Sequence, residues 1–237
     1  MATLLELVQN FCVTTGLDKP NAVMSNQDDQ IQQIVGILNE GTKELGEKFS
    51  WSFLQFLTTF NSTGAESQGT MDSIAPGYRK MLSDTLWSNS NRLPGRGGIT
   101  PADSQALRIW GRPNALVNFR QMGGELHFLP AGAAGLQYSF EYQSRYCVWD
   151  NDTQTPKEYF TKDTDTTILP AHLYRLDLRW RWKMEKGLAY SEHLRTFESA
   201  CKQAYADSTG KLQLNMGSNT KGEMPGIVVP LGNWQRP

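Results

Sequence analysis

Apolar residues recur at three- and four-residue steps near both ends of the chain and at two-residue steps between them. The first segment places Leu4, Leu7, Val8, Phe11 and Cys12 on one helical face, and Gly16 stops the pattern. Ser25 or Asn26 can cap a second helix, with Asp28 and Asp29 suited to the positive end of its dipole. That helix carries Ile31, Ile34, Val35, Leu38, Leu45 and Phe49 on one side, with Gln32, Gln33, Asn39, Lys43 and Glu47 on the other. Beyond Trp51 the period shortens. Residues 52–63 read as a strand, as do 116–122, 125–129 and 136–149, the last with alternating Tyr138, Phe140, Tyr142 and Tyr146. Met122-Gly123-Gly124-Glu125 is a hairpin signal, and Pro101 with Asp103 opens a short helix over 101–110.

The helical period returns at Pro170. Leu173, Leu176, Trp180 and Met184 predict one apolar stripe, Arg175, Arg179 and Lys183 or Lys186 a basic side, and Gly187 an end. A fourth helix starts near Ser191 and offers Leu194, Phe197, Cys201 and Ala204 for burial before Gly210. The expected fold is therefore α+β. N- and C-terminal helix pairs (1–50 and 168–206) form a four-helix bundle, with a small antiparallel β domain (51–167) inserted between them. Residues 207–237 hold five glycines and three prolines without a sustained period, and read as an extended C-terminal arm. The arm nevertheless ends in Ile227, Val228, Val229, Leu231 and Trp234, which a purely solvated tail would not need.

Composition narrows the function classes. The 237 residues are 39% hydrophobic and 20% charged, which suits a globular chain long enough to bury a core. A net charge of −1 is not that of a nucleic-acid coat, and leaves only local basic faces. The 7 Trp, 8 Tyr and 10 Phe exceed what a minimal core needs and favour protein–protein surfaces. Three dispersed cysteines, Cys12, Cys147 and Cys201, fit neither a disulfide framework nor a zinc site. The opening MATLLELVQNF has Glu6 and no basic stretch before an apolar run, so it is not read as a signal peptide. No run of 18 apolar residues suggests a membrane span, and the expected setting is a reducing cytoplasm.

Catalytic chemistry finds little support in the residues. His127, His172 and His193 stand singly, without metal-ligand spacing. Asp150-Asn151-Asp152 and Asp163-Thr164-Asp165 look like half a calcium loop, but Thr155 and Thr161 occupy the positions that need Gly and Glu. Turn capping is the better reading of these acids. Gly95-Arg96-Gly97-Gly98 lacks the lysine of a phosphate loop. No catalytic residue, metal ligand or cofactor is assigned, and the chain is read as non-enzymatic. The run 175–186 is basic enough to face a phosphate backbone, but contact with a neighbouring subunit or within the bundle is the favoured reading. Trp180 and Trp182 lie about 200° apart on a helix, so one can be core while the other meets a neighbour.

Several segments carry a family resemblance. The opening MATLLELVQNFCVTTGL, then EKFSWSFL, IAPGYRKMLSDTLWS (74–88) and LQYSFEYQSRYCVWD (136–150), resemble the head-to-tail adaptor proteins of short-tailed bacteriophages, also called head-completion or tail-tubular-protein-A-like proteins. Residues 152–198, with their Pro-led helix, LRWRWK core, Gly-Leu break and acidic helix start, are similar to the family's most distinctive stretch. The resemblance covers about residues 1–205. It implies a structural virion protein of the neck, assembled in the host cytoplasm as a ring of copies, usually a dodecamer, between the portal protein and the tail nozzle protein. Double-stranded DNA would pass without sequence-specific contact.

On this reading Ile227, Val228, Val229, Leu231 and Trp234 dock on the portal. Arg175, Arg179, Trp182, Lys183 and Lys186 contact a neighbouring subunit or face the channel. Burying Trp234 and three aliphatic side chains would contribute roughly 6–10 kcal/mol against the ordering of the arm. The alternative is a β-rich carbohydrate-binding module in which Tyr146 and Trp149 stack on sugars. A metal-assisted hydrolase is a weaker third reading.

Overall fold

A computed structural model describes residues 1–111 and 116–209. Among the described residues there are six α-helices and eleven strands: α1 (Leu4–Thr15), α2 (Asp29–Lys48), β1 (Gln55–Asn61), β2 (Ser67–Thr70), α3 (Met71–Ile74), β3 (Tyr78–Met81), β4 (Trp87–Ser88), β5 (Leu93–Pro94), α4 (Pro101–Trp110), β6 (Asn118–Met122), β7 (Glu125–Leu129), β8 (Gln137–Ser144), β9 (Val148–Asp150), β10 (Thr155–Lys157), β11 (Thr166–Thr167), α5 (Ala171–Glu185) and α6 (Ser191–Thr209). A single 3-10 turn, Ser52–Leu54, leads into β1. The strands make three antiparallel sheets, ordered β1-β8-β4-β5 with β3 also on β8, β2-β7-β6, and β10-β9-β11.

This corrects the expected architecture. The chain is β-rich α+β, with three sheets, rather than a four-helix bundle carrying a small β insertion. The reason lies in which faces the helices bury. α5 is the hub, packed against α1, α2 and α6. The rest of its apolar surroundings come from outside the helices: Trp51, Leu54, Cys147, Val148, Phe160 and Leu169 all lie in the same core. α6 buries only Phe197 and Cys201, too narrow a stripe for a full bundle member. Sheet and loop residues therefore supply cover that facing helices would supply in a bundle.

Local signals explain the individual elements. Thr3 caps α1: its hydroxyl accepts from the Glu6 amide at 3.2 Å while the Glu6 carboxylate accepts from the Thr3 amide at 3.2 Å. The cap of α2 is Asp28, which accepts from Gln30 N at 2.9 Å, rather than Ser25 or Asn26. The expected strand 136–149 is broken near Arg145–Cys147 into β8 and β9, which join different sheets. Helix α6 runs to Thr209, so residues 207–209 belong to it and not to an arm. The remainder of the expected arm lies outside the described residues.

Two apolar cores result. The first joins the four long helices to Trp51 and the β9 region. The second is the aromatic interior of the other two sheets, where β1 and β8 pair Phe56 with Tyr142, Thr58 with Phe140 and Phe60 with Tyr138. Phe119, Leu126 and Phe128 close it from β6 and β7. The joint between the cores is polar. The Arg79 guanidinium donates to the carbonyls of Gly46 and Glu47 at 2.9 and 2.7 Å, satisfying orphan acceptors at the C-terminus of α2. Gln143 Nε2 donates to the Phe49 carbonyl at 3.0 Å.

Candidate interaction surfaces

The basic helix expected from the sequence is α5, but its buried face is shifted from the predicted one. Leu173, Tyr174, Asp177, Leu178, Arg181 and Trp182 are buried, whereas Met184 is exposed. Trp182 is therefore core: 7% exposed, edge-on to Phe11 at 5.7 Å, with Lys186 Nζ 4.4 Å above its ring. That placement removes Trp182 as a surface that meets a neighbour or a channel. Trp180 is the partly exposed member of the pair, with the Arg181 guanidinium 4.6 Å from its ring.

Arg181 also leaves the basic face. Its Nε donates to Asp177 Oδ2 at 2.9 Å and its Nη2 to Glu44 Oε2 at 2.7 Å. Trp180 Nε1 donates to the other Asp177 oxygen at 2.9 Å. Burial pushes the Asp177 carboxyl up, with Arg181 opposing that shift. At the rim, hydrogen bonding from Arg181 holds Glu44 below its ordinary value. The triad locks α2 to α5, and Gly41 makes room for it, since a Cβ there would collide with the Asp177 carboxylate.

The remaining cations do form one side. Arg175 and Lys186 are exposed, Arg179 and Lys183 are half-buried, and none of the four makes an ion pair among the described residues. Lys183 Nζ lies 2.7 Å from His193 Nε2, so the imidazole nitrogen accepts from the ammonium. Both border a cleft of about 410 Å³ with Thr14, Thr15, Arg179 and Leu188. Lys183, in the last turn of α5, and Lys186, at its C-cap, stand at the negative end of the helix dipole, whereas Arg175 lies near the other end of the helix.

Two apolar surfaces were not singled out by sequence reasoning. On α4, Ile109 and Trp110 are 72% and 82% exposed, and Ser104 is the helix's only buried residue. Polar contacts hold this helix instead: Arg108 pairs with Glu66, and Arg120 Nη1 donates to Ser104 Oγ at 2.8 Å. The signal was present in the adjacent Ile109-Trp110 at the end of this short helix. The second surface is β1, where Phe56 and Leu57 remain exposed together with Phe53 just before it.

The acidic loops serve structure. Asp150 Oδ1 accepts from the amides of Asp152 and Thr153 at 2.9 and 3.3 Å. Asp165 Oδ2 accepts from the amides of Thr161 and Lys162, both at 2.7 Å, and pairs with Lys157 Nζ at 2.6 Å. Lys162 Nζ bridges Asp150 and Asp152 at 3.3 and 2.9 Å. Two ammonium groups thus stand among the carboxylates where a calcium loop would hold its ion. Burial opposes ionisation of Asp150, yet the two amides and two ammoniums outweigh it and hold the carboxyl far below its usual range.

Among the described residues no group of three or more His, Cys, Asp or Glu is arranged to hold a metal. Nor is any described helix long and apolar enough to cross a membrane. The three thiols are buried and free, with burial pushing Cys147 up to about 12 and Cys201 to about 11. Tyr146 and Trp149, the sugar platform of the alternative reading, are both half-buried, and Tyr146 packs against Gly77. Ile227, Val228, Val229, Leu231 and Trp234 lie outside the described residues. No family model matches the chain, and no curated protein matches it.

Proposed function

We propose that the chain is a structural virion protein, a head-to-tail adaptor of a short-tailed bacteriophage. Copies of it would form a ring, a dodecamer in the family it resembles, that joins the portal protein to the tail nozzle protein and continues the DNA channel. The observation that carries this reading is the run 152–198 with its LRWRWK core, which supplies β10, β11, α5 and the start of α6. Surface chemistry supports it. A heterologous ring contact needs two different patches on each copy, because the face that gives is not the face that receives. Among the described residues, α5 carries a basic side without ion pairs and α4 an apolar tip, on separate elements.

The mechanism is mechanical, and no residue is assigned a catalytic role. Arg175, Arg179, Lys183 and Lys186 contact a neighbouring copy or face the passing DNA, whose phosphates such cations attract without reading sequence. The portal is held by the C-terminal Ile227, Val228, Val229, Leu231 and Trp234, and many weak contacts add up around the ring. The test is the mass of the purified protein by light scattering, alone and mixed with portal rings, followed by imaging of the mixture. A ring-sized species or a stacked portal complex is the expected result, and removal of residues 222–237 should abolish portal capture while the remainder stays folded. A strict monomer that ignores portal rings overturns the reading and directs attention to glycan binding.

A further inference from the structure

The strand β1 is an edge. It pairs with β8 along its whole length, Gln55 opposite Gln143 through Asn61 opposite Gln137. The other side of β8 is taken by β3 and β4. Among the described residues nothing pairs with the outer side of β1. Such an edge presents a row of free amides and carbonyls, and proteins commonly blunt it with charge, proline or a bulge. β1 has none of these: the seven residues Gln55-Phe56-Leu57-Thr58-Thr59-Phe60-Asn61 carry no charge and no proline, and their register with β8 is unbroken. Leu57 is 67% exposed on one face and Phe56 is 37% exposed on the other.

The end of the described chain lies beside this strand. α6 packs on the 3-10 turn that precedes β1. Tyr205, one turn before the end of α6, stacks on Phe49 at 4.9 Å and meets Trp51 edge-on at 6.1 Å. The described part of the chain therefore ends at Thr209 in a helix that packs next to the start of β1. Within residues 210–237, Ile227-Val228-Val229 is the segment suited to a strand, bracketed by Pro225 and Pro230. The seventeen residues between Thr209 and Ile227 can reach at most about 60 Å, at roughly 3.3–3.6 Å each. β1, with seven residues, is about 23 Å long at roughly 3.3 Å per residue, so its whole edge lies within that reach.

We propose that the free edge of β1 is a docking site for the chain's own segment Gly226–Val229, which adds there as a further antiparallel or parallel strand. Main-chain hydrogen bonds supply the attraction, as in other strand additions. The side chains alternate, so Val228 lies on one face of the sheet and Ile227 and Val229 on the other, covering Leu57 and Phe56 together. The inference stands apart from the adaptor reading. If the chain is an adaptor, the same residues exchange β1 for the portal on assembly, and the free protein keeps its apolar segment sheltered until then.

Hydrogen exchange of residues 55–61 tests it, comparing the full chain, a chain ending at residue 221, and Val228→Pro, which removes a donor without shortening the chain. At least a tenfold faster exchange of the outward-facing β1 amides in both variants is expected, with α2 unchanged as the sign that the fold persists. Equal β1 exchange in the full chain and in Val228→Pro overturns the proposal. So does protection of β1 that disappears on dilution, because the donor is then a second copy. No portal is present in this experiment, so failure of the adaptor reading and failure of this one are told apart.

Discussion

The two cores of this molecule close in different ways. Around α5, helices from both ends of the chain and residues of the β9 region seal one another, so that Trp51 is fully buried and its indole nitrogen donates to the Leu45 carbonyl at 2.7 Å. The aromatic core of the larger sheets is just as dry at its centre, where Phe128, Tyr138 and Phe140 are buried. Its margins differ. They leave Trp110 almost wholly in solvent, Leu57 on an open edge, and α4 held by polar contacts rather than by packing. The lesson concerns division of labour: the α5 core fixes the fold, and the sheet region displays surface.

The largest effect that would break this contrast is a pair of tryptophan truncations. Trp51→Ala removes a fully buried ring and an internal hydrogen bond, and should cost about 3–5 kcal/mol in urea unfolding. Trp110→Ala should change stability by no more than about 0.5 kcal/mol, since the ring is 82% exposed and packs on almost nothing among the described residues. Comparable losses for the two would mean that α4 belongs to the fold's stabilising interior. On the proposed function, Trp110→Ala instead weakens self-association, which light scattering reads separately from stability.

A middle-sized effect sharpens the α5 side of the comparison. Gly41→Ala places a methyl group on the Asp177 carboxylate, which cannot retreat without leaving Arg181 and Trp180. Overpacking at such a point costs about 1–3 kcal/mol. Gly36→Ala on the same helix is the control, because nothing lies near its Cβ position. That change should be neutral or slightly stabilising through helix propensity. Equal responses in thermal unfolding would show that the Asp177–Arg181 contact yields easily.

How much of this was legible follows the same division. The faces of α1 and α2 were readable because Leu4, Leu7, Val8, Phe11 and Cys12, and then Ile31, Ile34, Val35, Leu38 and Leu45, are all buried as expected, whereas Phe49, expected to close the second stripe, lies just past the end of α2 and is half-buried. For α5 the period was readable but the phase was not. Arg181 and Asp177 count as polar in a pattern, yet they pair with each other and go inside, turning the buried face toward Trp182 and Met184 out. The third sheet was invisible, because β9, β10 and β11 are two or three residues each and owe their pairing to Asp150, Asp165 and two lysines rather than to alternation. The helix-only bundle failed as an expectation for a related reason. Periodicity shows that a face needs cover, but not whether another helix or a sheet provides it. Of the expected surface residues, Arg175, Arg179, Lys183 and Lys186 lie on one side of α5, and the apolar surfaces of α4 and β1 carried no periodic signal to reveal them.

The smallest effect is confined to acid and concerns the sheet beside the α5 core. The depressed pKa of Asp150 means that its carboxylate is better held in the folded chain than in the unfolded one. The sign follows from proton linkage: below about pH 4 the unfolded chain takes up a proton that the folded chain still refuses, so this contribution is present at neutral pH and is lost as pH falls toward the folded value. Asp150→Asn should be less stable than the parent at pH 7. The gap should narrow below about pH 4 with a slope of one proton, because the variant has nothing to titrate there. Urea unfolding of both proteins at several pH values between 7 and 3 measures it. A gap that stays constant across that range would mean that Lys157 and Lys162 act on Asp165 and Asp152 alone, and that the Asp150 turn is held by its two backbone amides without help from charge.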